Sequence, residues 1–120
     1  EAVALAPRPA AMLNNWGVSR MARGALEAAA ASFAEAVRAD PTLFAAKNNL
    51  VLANALRGDY AMPAISLTER ERAVLLNNAG VIAQRRGARE AARRLFSEAV
   101  DAHPAFFGDA MRNLSGLDAR

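Results

Sequence analysis

Apolar residues return every three or four positions along most of this chain, the spacing of one helix face. Ala29, Phe33 and Ala36 keep it, and so do Ala92, Phe96 and Ala99. Near the C-terminus Phe106, Ala110, Met111, Leu114 and Leu117 form a third stripe, with Asp109, Arg112 and Asp118 left for the water side. That stripe predicts a helix over 105–117. Long alternation of Val, Ile or Thr is absent, so strands are not expected. Between Gly58 and Thr68 the pattern breaks. Pro63 stands inside Ala61-Met62-Pro63-Ala64-Ile65-Ser66-Leu67, and a helix interior carrying it would lose about 3 kcal/mol. Next comes Thr68-Glu69-Arg70-Glu71, a capping box with Thr68 as N-cap and Glu71 three residues on. The pattern therefore predicts a helix over about 44–57, then an irregular connector, then a long helix from Thr68 to about Arg86. Met62, Ile65 and Leu67 are expected to plug part of the gap left in the core.

The chain also repeats itself. Glu1-Ala2-Val3-Ala4-Leu5-Ala6-Pro7, Glu35-Ala36-Val37-Arg38-Ala39-Asp40-Pro41 and Glu98-Ala99-Val100-Asp101-Ala102-His103-Pro104 read alike. The first two are 34 residues apart; the last two are 63 apart, two such periods less five residues. In phase with them run Leu13-Asn14-Asn15-Trp16-Gly17, Lys47-Asn48-Asn49-Leu50-Val51 and Leu76-Asn77-Asn78-Ala79-Gly80. Gly24, Gly58 and Gly87 each follow seven residues after the end of one of these segments.

A period of 34 with these markers resembles the tetratricopeptide repeat (TPR). In that family each repeat is a pair of antiparallel helices, with a large and then a small residue in the first and Gly at the turn. Small residues recur in the second helix, and Pro follows it. Leu13, Trp16, Gly17, Gly24, Ala29, Phe33, Ala36 and Pro41 fill these slots once. Leu76, Gly80, Gly87, Ala92, Phe96, Ala99 and Pro104 fill them again. The resemblance implies an all-α, right-handed helical solenoid of about six or seven helices. Residues 1–9 would be the tail of a preceding repeat's second helix, and at least one more repeat is expected upstream. Residues 10–43 would be a first repeat and 44–72 a short, degenerate second one without a regular second helix. Residues 73–106 would be a third, its first helix extended back to about 68, and 107–120 a C-terminal capping helix. Small residues would let paired helices approach, and Phe33 and Phe96 would fill the space between neighbouring pairs.

Composition adds mainly exclusions. The chain has 120 residues, 53% of them apolar and 22% charged, which suits one globular domain. Of these, 31 are Ala, as expected of a fold built on small slots. Cysteine is absent, so there is no disulfide framework, thiolate metal site or thiol nucleophile. His103 is the single His. The glycines are isolated turn residues, not a phosphate-cradling loop. Neither catalysis nor a metal or cofactor is expected. The longest uncharged run, 73–84, is twelve residues, too short to span a bilayer. The chain opens on Glu1, without an initiator Met or a basic-then-apolar leader, so an upstream segment is expected. Net charge is +3, and Arg85, Arg86, Arg89, Arg93 and Arg94 cluster. Gly87 turns the chain within that run, Glu90 and Glu98 interleave it, and stacking aromatics are missing. A solvated helix face is therefore expected in preference to a nucleic-acid surface, with anionic lipid or an acidic partner as the alternative.

The asparagine pairs are the candidate chemistry. Asn14-Asn15, Asn48-Asn49 and Asn77-Asn78 hold the same slots on three successive first helices. Asn is locally unfavourable inside a helix, so the pairs ask for a reason. By the resemblance, these helices line a concave groove, and one Asn of each pair faces it. An amide both donates and accepts, so the row would hold a peptide backbone without demanding one sequence. The other reading is that one Asn per pair bonds within the protein. Along the same helices come Val18 and Met21, Leu52 and Ala55, then Val81, Gln84 and Arg85. An apolar floor beside amides suits an apolar or amphipathic partner segment; the alternative is a cover of the chain's own connector. Some members of the family grip a carboxylate with Lys and Arg, but Asn14 and Asn77 stand where Lys would be needed.

One branch of the repeat family is closer still. The Asn-Leu-rich helix, Arg57-Gly58-Asp59-Tyr60, the Pro63 connector and Leu67-Thr68-Glu69-Arg70-Glu71-Arg72-Ala73-Val74-Leu75-Leu76 are similar to the TadD family. The likeness continues to Ala102-His103-Pro104-Ala105-Phe106-Phe107. TadD proteins are repeat lipoproteins of bacterial tight-adherence (Flp) pilus systems. The resemblance implies a periplasmic, pilotin-like role in assembling the pilus secretin, with outer-membrane attachment through an N-terminal lipid anchor upstream of Glu1. Protein partners, the secretin or another assembly component, are then expected, and nucleic acid is not. The alternative is a regulatory or chaperone-like interaction domain of a larger protein.

Overall fold

The computed structural model of the chain describes residues 8–103 and 107–118. The helix tail expected in residues 1–7, and the Pro104 and Phe106 slots, lie outside them. Six α-helices and no strand occur among the described residues: α1 Ala10–Ala22, α2 Leu26–Ala39, α3 Phe44–Leu56, α4 Glu69–Arg85, α5 Arg89–Ala102 and α6 Phe107–Asp118.

Three identical caps end α1, α3 and α4. Gly24, Gly58 and Gly87 sit at φ of 79°, 86° and 80°, which only glycine adopts without strain. Each donates to the carbonyl three residues back, and the following N–H reaches back five, as in Gly24 to Met21 and Ala25 to Arg20. This Schellman geometry satisfies carbonyls that a helix end leaves open. After Gly24 and Gly87 the chain reverses into α2 and α5. After Gly58 it does not. Residues 57–68 form no helix, for the reason Pro63 gives.

The capping box restarts the chain. Thr68 Oγ1 accepts the Glu71 N–H, and Glu71 Oε1 accepts the Thr68 N–H, both at 3.0 Å. The same Oε1 lies 3.2 Å from Lys47 Nζ of α3. Lys47 holds the slot that Leu13 and Leu76 hold in the other helices. Its side chain is 4% exposed and that of Glu71 22%. The Thr68 N–H, and then the lysine, hold the Glu71 carboxyl below the usual range against a partial opposing effect of burial.

The helices lie in two layers. α1 touches α3, α3 touches α4, and α4 touches α6. α2 packs on α1 and α3, and α5 packs on α4 and α6. Leu13, Ala29, Phe33, Ala36, Ala46 and Leu50 belong to one buried cluster, and Val51, Leu75, Leu76, Leu95, Phe96 and Leu117 to another. Phe33 shares its cluster with Ala46 and Leu50 of the next pair, and Phe96 shares its with Leu117 of α6. Each ring lies against the glycine of its own pair, Phe33 on Gly17 and Phe96 on Gly80. A Cβ on Gly80 would lie 2.5 Å from Phe96 Cε1. The small slot is therefore a seat for the ring.

The connector behaves as its apolar residues suggest. Met62 and Leu67 pack on the second cluster and Ile65 on the first. Tyr60 OH accepts from Arg86 Nε at 3.1 Å, and Arg86 Nη1 donates to the Leu56 carbonyl at 2.7 Å. In α6, Leu117 is buried and Leu114 packs beside it. Met111, placed on the apolar stripe by spacing, is exposed. The last turn of α6 is held by Arg89 Nη2 on the Leu117 carbonyl, at 2.6 Å.

Candidate functional site

The asparagines form a continuous row across one layer. Asn49 Nδ2 of α3 donates to Asn14 Oδ1 of α1 at 3.1 Å. Asn78 Nδ2 of α4 donates to Asn48 Oδ1 of α3 at 2.9 Å. Asn113 Nδ2 of α6 donates to Asn77 Oδ1 of α4 at 2.8 Å. In every pair the first Asn accepts from the helix that follows, and in the pairs of α3 and α4 the second donates to the helix before. Both asparagines of the middle pairs therefore bond internally, whereas the sequence reading allotted that role to one per pair. Such bonds contribute about 0.5–1.5 kcal/mol each, enough to offset the poor helix propensity of Asn.

The row has two different ends. Asn15 of α1 is exposed and makes no side-chain hydrogen bond among the described residues. At the other end Arg112 of α6 stands in the slot of Asn14, Asn48 and Asn77, and a guanidinium cannot accept. Asn113 was not among the residues singled out by sequence. Its signal was available: it follows Asn78 by 35 residues, close to the 34 that separate the equivalent Asn15 and Asn49.

Internal bonding does not exhaust the row. An amide has two N–H groups and two oxygen lone pairs, and each of these bonds uses one group on either side. The remaining groups stand on partly exposed side chains. Around them, Val18 is 43% exposed, and Leu52, Val81 and Met21 are partly buried. Met21 packs against the first cluster and Val81 against the second. Ala55, expected on the apolar floor, is fully buried in the core instead. Gln84 is partly buried and Arg85 exposed. Val81, Gln84, Arg85 and Asn113 together line a concavity of about 400 Å³. The structure thus brings four of these groups into one hollow at the α4–α6 end.

Trp16 lies in α1, as the repeat slot implies, but on its outer side. It is 38% exposed, and the guanidinium groups of Arg8 and Arg20 lie 5.1 and 5.8 Å from its ring centroid, a cation–π geometry. Arg20 also donates to Ser32 Oγ of α2.

The arginine run is largely consumed by the fold. Arg86 and Arg89 bind backbone carbonyls, as above, and Arg94 pairs with Glu98 at 3.2 Å along α5. Arg93 is also engaged. Of the five, Arg85 stands exposed in the hollow beside the amide row. His103 caps the C-terminal end of α5 in extended backbone. Among the described residues no group of three His, Cys, Asp or Glu side chains could hold a metal ion. No helix among them is long and apolar enough to cross a membrane. No protein-family model, curated protein or solved structure matches this chain.

Proposed function

We propose that the chain is a non-catalytic, protein-binding scaffold of the TPR type. Its partner segment lies along the amide row, held by spare amide groups and by Val18, Leu52 and Val81. The observation that carries this reading is the row itself: three side-chain bonds that join four successive helices of one layer and still leave donors and acceptors on a half-exposed, partly apolar face. A fold needs no such row to pack, because the two apolar clusters already join the layers. Two-layer order, Gly-capped hairpins and glycine seats for Phe33 and Phe96 support the repeat assignment.

Within that class, the resemblance to TadD points to the secretin of a tight-adherence pilus as the partner, on the periplasmic side of the outer membrane. The role is then pilotin-like: binding and positioning a secretin subunit during assembly. The test is a pull-down of that secretin from solubilised membranes with the immobilised 120-residue chain. Asn14, Asn48 and Asn77 are poor positions to change, because their loss also strips an acceptor from the next helix. Val18→Asp combined with Arg85→Glu alters the face and leaves the row intact. Wild type is expected to retain the secretin and the double variant about tenfold less, a loss of about 1.4 kcal/mol. Equal retention would sink the groove assignment, and no retention by wild type would sink the secretin assignment.

A further inference from the structure

The two layers alternate along the chain, except once. α1 is followed by α2 and α4 by α5, each second-layer helix 14 residues long. α3 is followed by the connector, which is not helical. Between α2 and α5 the outer layer therefore lacks a member. Met62, Ile65 and Leu67 keep the core covered there, but they do not fill the position. A cleft of about 570 Å³ is left, within the range of sites that bind ligands. Tyr60, Met62, Pro63, Ile65 and Leu67 line it from the connector, Arg72 and Leu76 from α4, and Arg94 and Glu98 from α5.

The charge of this lining is uneven. Glu98 is paired with Arg94. Arg72 is exposed and has no ion-pair partner among the described residues. Its guanidinium stands beside an apolar strip, a combination that matches an amphipathic helix with a carboxylate on one flank.

We infer that this cleft is a docking site for one amphipathic, acidic helix of a partner protein, which adds to the outer layer between the connector and α5. The helix would lie against α4, α5 and the connector's Met62 and Leu67, with the connector's cover of the core left in place. Such docking is the helical counterpart of strand complementation, in which a partner supplies a missing element. The site is on the opposite layer from the amide row and does not depend on that row's function.

The chain supplies its own probe. Residues 25–40 span a second-layer helix with Glu27, Glu35 and Asp40 against Arg38, a net charge of −2. A fluorescent peptide of this sequence is titrated with the intact 120-residue chain and followed by anisotropy. Saturable binding is expected, with a Kd on the order of 100 μM or tighter. Ala64→Trp fills the cleft from its exposed connector, and Arg72→Glu reverses the unpaired charge. Each is expected to weaken binding by about tenfold or more, with the circular dichroism spectrum unchanged. Val18→Asp, on the amide-row layer, is expected to leave it unaltered, which separates this site from the groove. If Ala64→Trp unfolds the chain, Arg72→Glu alone decides. Absence of saturation, or binding indifferent to Arg72→Glu, would overturn the inference. So would a dimer in sedimentation equilibrium that Ala64→Trp dissolves, because the occupant would then be a second copy of the chain.

Discussion

Glu71→Ala is expected to lower the unfolding free energy by about 3 kcal/mol, a large share of the 5–15 kcal/mol typical of a domain. The reason is what it leaves behind. Lys47 is 4% exposed, and Glu71 is its ion-pair partner at 3.2 Å. Removing the carboxylate strands an ammonium ion in the core and also removes half of the capping box that starts α4. Lys47→Met acts on the same pair in the opposite way. It replaces the buried charge with an apolar chain of similar length, while Glu71 keeps its Thr68 bonds and partial hydration. Its expected cost is within about 1 kcal/mol, in either direction. Urea denaturation of the two variants checks this asymmetry; equal losses would mean that Lys47 is not buried as described. A pH arm isolates the carboxyl. The folded pKa of Glu71 is depressed, so its contribution is complete above the unfolded value of about 4.3 and is lost as pH falls through the folded value. Asp40, held low chiefly by the Thr42 hydroxyl, acts in the same direction. Wild type should therefore lose stability on acidification more steeply than Glu71→Gln, the difference being the part owed to Glu71.

Phe96→Ala is expected to cost about 3–5 kcal/mol, the usual range for deleting a buried aromatic ring. The informative measurement is its coupling to Gly80. Gly80→Ala alone gains about 1 kcal/mol of helix propensity but places a Cβ 2.5 Å from Phe96 Cε1. Overpacking of this kind costs about 1–3 kcal/mol, so the single change should be neutral to destabilising. In the Phe96→Ala background the same change meets no ring. It should then stabilise by about 1 kcal/mol, through propensity and by refilling part of the cavity. A double-mutant cycle followed by thermal or urea unfolding reads this change directly. Additive effects would mean that the glycine is not a seat for the ring.

These expectations show which parts of the fold were legible in the residues. Gly24, Gly58 and Gly87 were legible because a left-handed turn leaves little choice of residue. The missing helix was legible because Pro63 and the Thr68–Glu71 box are strong local signals that agree. Gly17 and Gly80 were legible as small slots, but the ring that each one seats was not. A repeating pattern says that a residue is small without saying which neighbour makes it so. The asparagine row shows the same limit. Recurrence placed Asn14, Asn48 and Asn77 in equivalent slots, but the polarity of the row depends on how α1, α3, α4 and α6 are offset from one another. Lys47 was a misfit visible in advance, a charge in a leucine slot; burial makes it an ion pair rather than a surface residue. Ala55 and Met111 went astray because spacing alone does not distinguish the two sides of a helix packed on more than one neighbour.

The amide row is proposed to receive a protein segment. The most direct test is an NMR titration of the ¹⁵N-labelled chain with the purified secretin partner, reading the asparagine side-chain Nδ2 signals. Each such group in the row is a reporter at a known place: Asn15 at the open end, Asn49 and Asn78 in the middle, and Asn113 beside Arg85. These signals are expected to shift together and saturably, along with those of Val18, Leu52 and Val81. Shifts confined to the outer layer of α2 and α5, with the asparagine signals unmoved at saturation, would contradict the proposal.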